Sequence, residues 1–99
     1  MAGTRRRRLP EKQVQLIVKA LADPRRYEIL KNLGKCAEPM ACGAVLACAE
    51  VSAATLSHHM KELEIAGLVE PVREGKFVSY TLQRDVLESF LDQVRGDLV

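Results

Sequence analysis

The chain has 99 residues, with 15 Lys and Arg against 13 Asp and Glu, 47% hydrophobic residues, two Tyr, two Phe and no Trp. That is the size of one domain with a mainly aliphatic core, small enough that pairing with a second copy would help it bury surface. No apolar run approaches the ~20 residues of a membrane span. No apolar segment directly follows the basic start, so no secretory signal is read and a cytoplasmic protein is the default.

Residues 1–10 read as a disordered basic arm and residues 11–99 as a single folded domain. Arg5, Arg6, Arg7 and Arg8 supply four of the 15 cations, and the remaining 11 against 13 acids leave the folded part at −2. A uniformly basic nucleic-acid binder is excluded on that balance. Any such contact needs a local patch, with or without help from the arm. The arm is either a solvated tail or a flexible DNA-contacting segment.

From Glu11 to Ala22, apolar Val14, Ile17, Val18 and Leu21 recur at helical spacing, and Leu16 and Ala20 widen the band beyond one face. Asp23-Pro24 restarts the chain as a capped helix, Asp at the N-cap and Pro at the first helical position. This second helix carries Tyr27, Leu30 and Leu33 inward and stops at Gly34. Lys35 to Pro39 reads as a loop and Ala41 to Ala49 as a short helix. Ser52 then caps a helix with Leu56, Met60 and Leu63 on one face, ending near Gly67. Two helices joined by a turn of about three residues fit a helix-turn-helix. Leu68 to Arg73 and Phe77 to Leu82 read as strands around the Gly75 turn, with Val78, Tyr80 and Leu82 alternating with Ser79 and Thr81. Arg84 to Val99 closes the chain as a helix. The whole is mainly α with a small β-hairpin, in the order α-α-α-α-β-β-α of a winged helix-turn-helix.

In such a domain the first residues of the second helix of the pair reach base edges. Here these are Ala53, Ala54, Thr55, Ser57 and His58, with Lys61 one turn on, while Ser52, counted with the DNA-binding residues, satisfies backbone N–H groups as the N-cap. Small residues allow close entry to a major groove, the Thr methyl and Ala suit a thymine methyl, and hydroxyls serve base or phosphate. His58 offers a donor to a phosphate or a guanine acceptor, and Lys61 a cation to phosphate. The helix N-terminus itself favours a phosphate nearby. His59, next to the inward Met60, reads instead as a buried, satisfied histidine that holds the helix in place. Glu62 and Glu64 belong on the side away from DNA. In the hairpin, Arg73 and Lys76 flank the tip and fit phosphate or minor-groove contacts.

The first and last helices carry more apolar surface than docking on one small core needs. Val14, Leu16, Ile17 and Ala20, with Leu87, Phe90, Leu91 and Val94, are the candidate homodimer interface. The alternative is that they only close the monomer core.

The segments LADPRRYEILKNL and TLSHHMKELEIAGLVEPVREGKFVSYTL, in this order and separation, resemble the ArsR/SmtB family of winged-helix repressors. The likeness runs from about Leu21 to Leu82. It implies a homodimer built from the terminal helices, bound to an inverted-repeat operator in double-stranded DNA and released by a metal, metalloid or redox signal. The family's Cys-x-Cys-Asp metal pattern is absent, since Met40-Ala41-Cys42-Gly43 stands in its place. The last helix has no His for the family's other zinc site. Cys36, Cys42 and Cys48 remain. Cys42 lies near a predicted helix N-terminus, where a thiol is activated, and Cys48 lies about 240° further round an ideal helix. These thiols are three ligands to a metalloid, a site of reversible oxidation at Cys42, or small apolar residues with no sensing role. Their odd number and spacing fit neither a disulfide framework nor a zinc finger.

Three functional readings follow. The leading one is a sequence-specific repressor that needs no cofactor. The second is the same fold with a thiol-based metalloid or redox switch. The third is a winged helix used only for protein contacts. Two adjacent His, no Gly-rich phosphate loop and no nucleophile motif argue against an enzyme.

Overall fold

The computed structural model describes residues 8–35, 40–41, 44–45 and 52–99. Its elements are α1 (Glu11–Leu21), α2 (Pro24–Gly34), β1 (Met40–Ala41), α3 (Ala53–Ile65), β2 (Val69–Glu74), β3 (Phe77–Leu82) and α4 (Arg84–Leu98). The core is aliphatic, with Ile17, Ile29, Leu56, Leu63 and Leu68 as its largest fully buried side chains. These come from α1, α2, α3 and the entry to β2, so the helices close around the helix that carries the candidate site.

Capping follows the sequence closely. Asp23 accepts from the Arg25 backbone N–H at 2.8 Å and Ser52 accepts from that of Thr55 at 3.1 Å, which satisfies amide groups that each helix start leaves without an internal partner. The α3 C-terminus is closed by Gly67 at φ +80. The Gly67 N–H donates to the Glu64 carbonyl at 3.0 Å and that of Leu68 to the Leu63 carbonyl at 3.0 Å, the paired bonds of a Schellman closure. The chain thereby reverses and delivers Leu68 and Val69 to the core.

Several expectations are corrected. Tyr27 does not face inward but stands 54% exposed. The buried stripe of α2 is Arg26, Ile29, Leu30 and Leu33, and a residue next to Arg26 is turned about 100° away from it. Ala41 does not begin a helix. With Met40 it forms β1, paired antiparallel to Tyr80 and Ser79 of β3. The sheet is therefore three-stranded in the order β1-β3-β2. With a strand on either side, β3 is central, so Ser79 and Thr81 are half-buried and the expected alternation is muted. Ala44 and Val45 are helical, and the rest of the short helix read over Ala41 to Ala49 lies outside the described residues.

Disorder through residue 10 is also corrected, for residues 8–10. Gln93, buried in α4, accepts from the Leu9 N–H at 3.0 Å and donates to its carbonyl at 3.4 Å. Arg8 pairs with Asp97 at 3.3 Å. Arg5, Arg6 and Arg7 lie outside the described residues.

The Gly67 closure is directly testable. A Cβ there would lie 2.6 Å from Gln13 Nε2, which donates to the Ala66 carbonyl at 3.2 Å. Gly67→Ala combines left-handed backbone strain of about 1–2 kcal/mol with displacement of Gln13. Urea denaturation is expected to show a loss of at least that size, and an unchanged midpoint would refute the role of this glycine.

Candidate nucleic-acid interface

Helix α3 divides cleanly into two faces. Leu56, His59, Met60 and Leu63 are buried. Ser52, Ala53, Ala54, Ser57, His58 and Lys61 are exposed, and Thr55 is partly so. The inward residues recur at spacings of three and four, which keeps them on one side of the helix. What remains outward in the first two and a half turns is a surface of methyls, hydroxyls, one imidazole and one ammonium, while the last turn adds the partly exposed Glu62 and Glu64 and Ile65, 51% exposed. The Ser52 hydroxyl donates to Thr55 Oγ1 at 2.9 Å while accepting from its N–H, so the first turn holds its own side chains in place.

The orientation of this face is set from behind by Arg26 and His59. Arg26 is 9% exposed. Its Nε donates to the Ala20 carbonyl at 2.7 Å and its Nη2 to the Lys19 carbonyl at 3.2 Å, at the C-terminus of α1. Its Nη1 lies 3.3 Å from His59 Nδ1 and 3.8 Å from the Asp23 carboxylate. A guanidinium has donors only, so His59 Nδ1 is the acceptor and the neutral ring carries its proton on Nε2. Nε2 is buried without a hydrogen-bond partner among the described residues. The expected buried histidine is thus present, but only one of its two nitrogens is satisfied.

Burial lowers the His59 pKa below the ordinary histidine value, Asp23 opposes that shift, and Arg26, His58 and Arg25 add to it. The Asp23 carboxyl is also lowered, mainly by the Arg25 backbone hydrogen bond. Protonating His59 would put a proton where Arg26 now donates and set two cations in contact.

The hairpin brings Arg73 to 4.0 Å from Glu64 of α3, with the Arg73 side chain 65% exposed. Lys76 is exposed in the turn after Gly75, which has φ +62. Glu64 thus faces the wing, in a solvent-screened pair of small energy. Among the candidate dimer residues, Ile17, Ala20 and Phe90 are buried in the chain's own core, and Phe90 also lines an apolar groove together with Leu87 and Leu91. Val14, Leu16, Leu87 and Val94 are half-buried, and Leu91 is 59% exposed. Cys36, Cys42 and Cys48 lie outside the described residues. Among the described residues no group of three or more His, Cys, Asp or Glu is clustered to hold a metal ion, and no helix is long and apolar enough to cross a membrane.

Sequence reasoning missed two residues. Arg26 sits in the 26-29-30-33 stripe of α2, where a cation among apolar neighbours was the available signal. Phe77 follows the turn and stands 78% exposed, an aromatic where a strand end gives no reason for one.

A split recognition helix followed by a hairpin defines a winged helix-turn-helix DNA-binding domain. Comparison with known proteins agrees. A helix-turn-helix domain profile matches residues 21–72. The arsenical resistance operon repressor of Staphylococcus xylosus is 39% identical over 88% of this chain and 78% of its own length. The transcriptional repressor SdpR of Bacillus subtilis is 30% identical over 77% of this chain and 82% of its own. Among solved structures, a homodimeric winged helix-turn-helix DNA-binding domain of Mycobacterium bovis superposes with a TM-score of 0.71 at 35% identity, covering 98% of this chain and 91% of that one. The chain belongs to the ArsR family of winged helix-turn-helix transcriptional regulators, which are DNA-binding proteins and not enzymes.

The His59 contact makes a pH prediction. A histidine whose pKa is lowered on folding binds fewer protons in the native state than in the unfolded one. Its contribution to stability is complete above about pH 6.5, the unfolded value, and is lost as pH falls below that. His59→Gln retains an acceptor for Arg26 but cannot titrate. Its denaturation midpoint is expected to change less with pH than the wild type's between about pH 7 and about pH 5. Equal slopes for the two proteins would refute the assignment.

Proposed function

We propose that this repressor binds double-stranded DNA as a homodimer, one half-site of an inverted repeat per subunit. The observation that carries this reading is the division of α3. Its apolar side is buried, and its exposed side presents the small and hydroxyl residues that major-groove entry requires. In this reading Ala53, Ala54, Thr55, Ser57 and His58 meet base edges, Ser52 and Lys61 sit against phosphate, and Arg73 and Lys76 contact the backbone or the adjacent minor groove.

Charge arithmetic favours a local contact. The net −2 outside the four arginines means that the folded part contributes through a few placed cations, with long-range attraction left to the arginine-rich start. Lys61→Ala is expected to weaken binding to every duplex and to reduce the slope of log affinity against log salt by about 1. Substitution of Thr55 or Ser57 is expected to change which sequence is preferred. If neither substitution moves a gel-shift midpoint, this face is not the reading face. A winged helix used only for protein contacts would have no steep salt dependence at all.

Pairing of subunits is supported by apolar surface that the single chain leaves open. Val18 is 55%, Leu91 59% and Leu98 79% exposed on α1 and α4. Leu91 also lines a shallow, mostly apolar groove with Leu21, Tyr27, Leu30, Lys31, Leu87 and Phe90. The homodimeric state of the Mycobacterium bovis domain points the same way. Leu91→Glu is expected to convert the dimer to monomer in analytical sedimentation while the fold, followed by circular dichroism, is retained. A dimer that survives this substitution would place the interface elsewhere.

A further inference from the structure

The tip of the wing carries an aromatic ring that nothing in the fold explains. Phe77 pairs with Glu74 across a turn of two residues, Gly75 and Lys76. The pairs Val69–Leu82, Pro71–Tyr80 and Arg73–Val78 lie on one face of the hairpin, and Tyr80 and Leu82 pack there against the core. By strand alternation Phe77 lies on the opposite face. It is 78% exposed, with Val72, diagonally across on the same face, 39% exposed. A lone exposed apolar residue is ordinary. Here an exposed phenylalanine and valine share the outward face of a DNA-binding domain's wing, and Lys76 adjoins the ring.

Position selects the target. The turn at Gly75 and Lys76 lies only two residues beyond Arg73, which stands 4.0 Å from Glu64 near the end of α3, so the tip sits next to the helix that enters the major groove, and a winged helix placed so has the adjoining minor groove as its neighbour. With α3 in the major groove, a tip beside the end of that helix has the adjoining minor groove as its nearest partner. That groove accepts apolar wedges beside cations, most readily at pyrimidine–purine steps, which unstack easily. Glu74 opposes entry from the β2 side, so the ring enters from the β3 side together with Lys76.

We propose that Phe77 is a specificity-determining residue that packs into the minor groove beside each half-site and selects a deformable pyrimidine–purine step there. The inference rests on the DNA-binding reading above. The test uses the full chain, as wild type, Phe77→Ala, Phe77→Leu and Lys61→Ala, on a randomised duplex library and on the duplex that wild type selects from it. Phe77→Ala is expected to bind that duplex about tenfold more weakly with the same salt slope and thermal midpoint, and to lose the flanking pyrimidine–purine preference while keeping the central half-site. Phe77→Leu is expected to retain part of both. A Phe77→Ala protein that selects the same flanks with the same affinity, or that differs from wild type only in sedimentation, overturns the proposal and marks the ring as a protein contact or a bystander. If wild type and Lys61→Ala bind alike with no salt dependence, the DNA-binding reading fails and this inference falls with it.

Discussion

Arg26 carries a full positive charge into the core, and the placement of the recognition surface depends on it. Moving such a charge out of water costs several kcal/mol unless its donors are met. Here they are met by two carbonyls at the end of α1, by the carboxylate that caps α2, and by a ring nitrogen of α3. The α1 carbonyls contribute the negative end of a helix dipole as well as acceptors. Because the partners come from three helices, no one of them can shift without stranding part of a buried guanidinium. A wholly aliphatic junction would pack these helices with comparable strength, but it would tolerate rotation of α3 about its axis. The directional bonds do not, and rotation of α3 is the motion that would move Ser57 and Lys61 off the face proposed to read DNA.

This explains how a domain with net negative charge outside its arginine-rich start can be a DNA-binding protein. The folded part adds no net attraction of its own, so in the proposed reading its contacts are local and preset. The capped first turn of α3 and the Schellman closure behind it hold helix and wing as one surface. Preorganisation of this sort lowers the ordering cost of association. It also concentrates discrimination in a small number of side chains.

Most of this framework was legible in the sequence because it rests on local rules. Asp23-Pro24 and Ser52 announced their caps, Gly67 and Gly75 their left-handed turns, and the spacing of Leu56, Met60 and Leu63 the inner face of α3. The misreadings are all non-local. Tyr27 was assigned inward because an arginine was not expected in the buried stripe beside it. β1 was invisible because a two-residue strand has no periodicity and exists only through its partner on β3. Helical spacing does not tell which apolar residues of α1 and α4 close the chain's own core, as Ile17 and Ala20 do, and which stay open, as Leu91 does. The anchoring of Leu9 by Gln93 joins positions 84 residues apart, which no sequence window can reveal.

The strand order leaves β2 on the outside of a protruding sheet, where unpaired backbone groups invite another strand to add on. Pro71 interrupts that edge with a residue that has no N–H to offer. Glu70, Arg73 and Glu74 surround it with charge. On its β2 side the wing therefore stands out into solvent without offering a continuous template for strand addition. An edge built for solubility is what allows this domain to keep its hairpin extended while no duplex is bound.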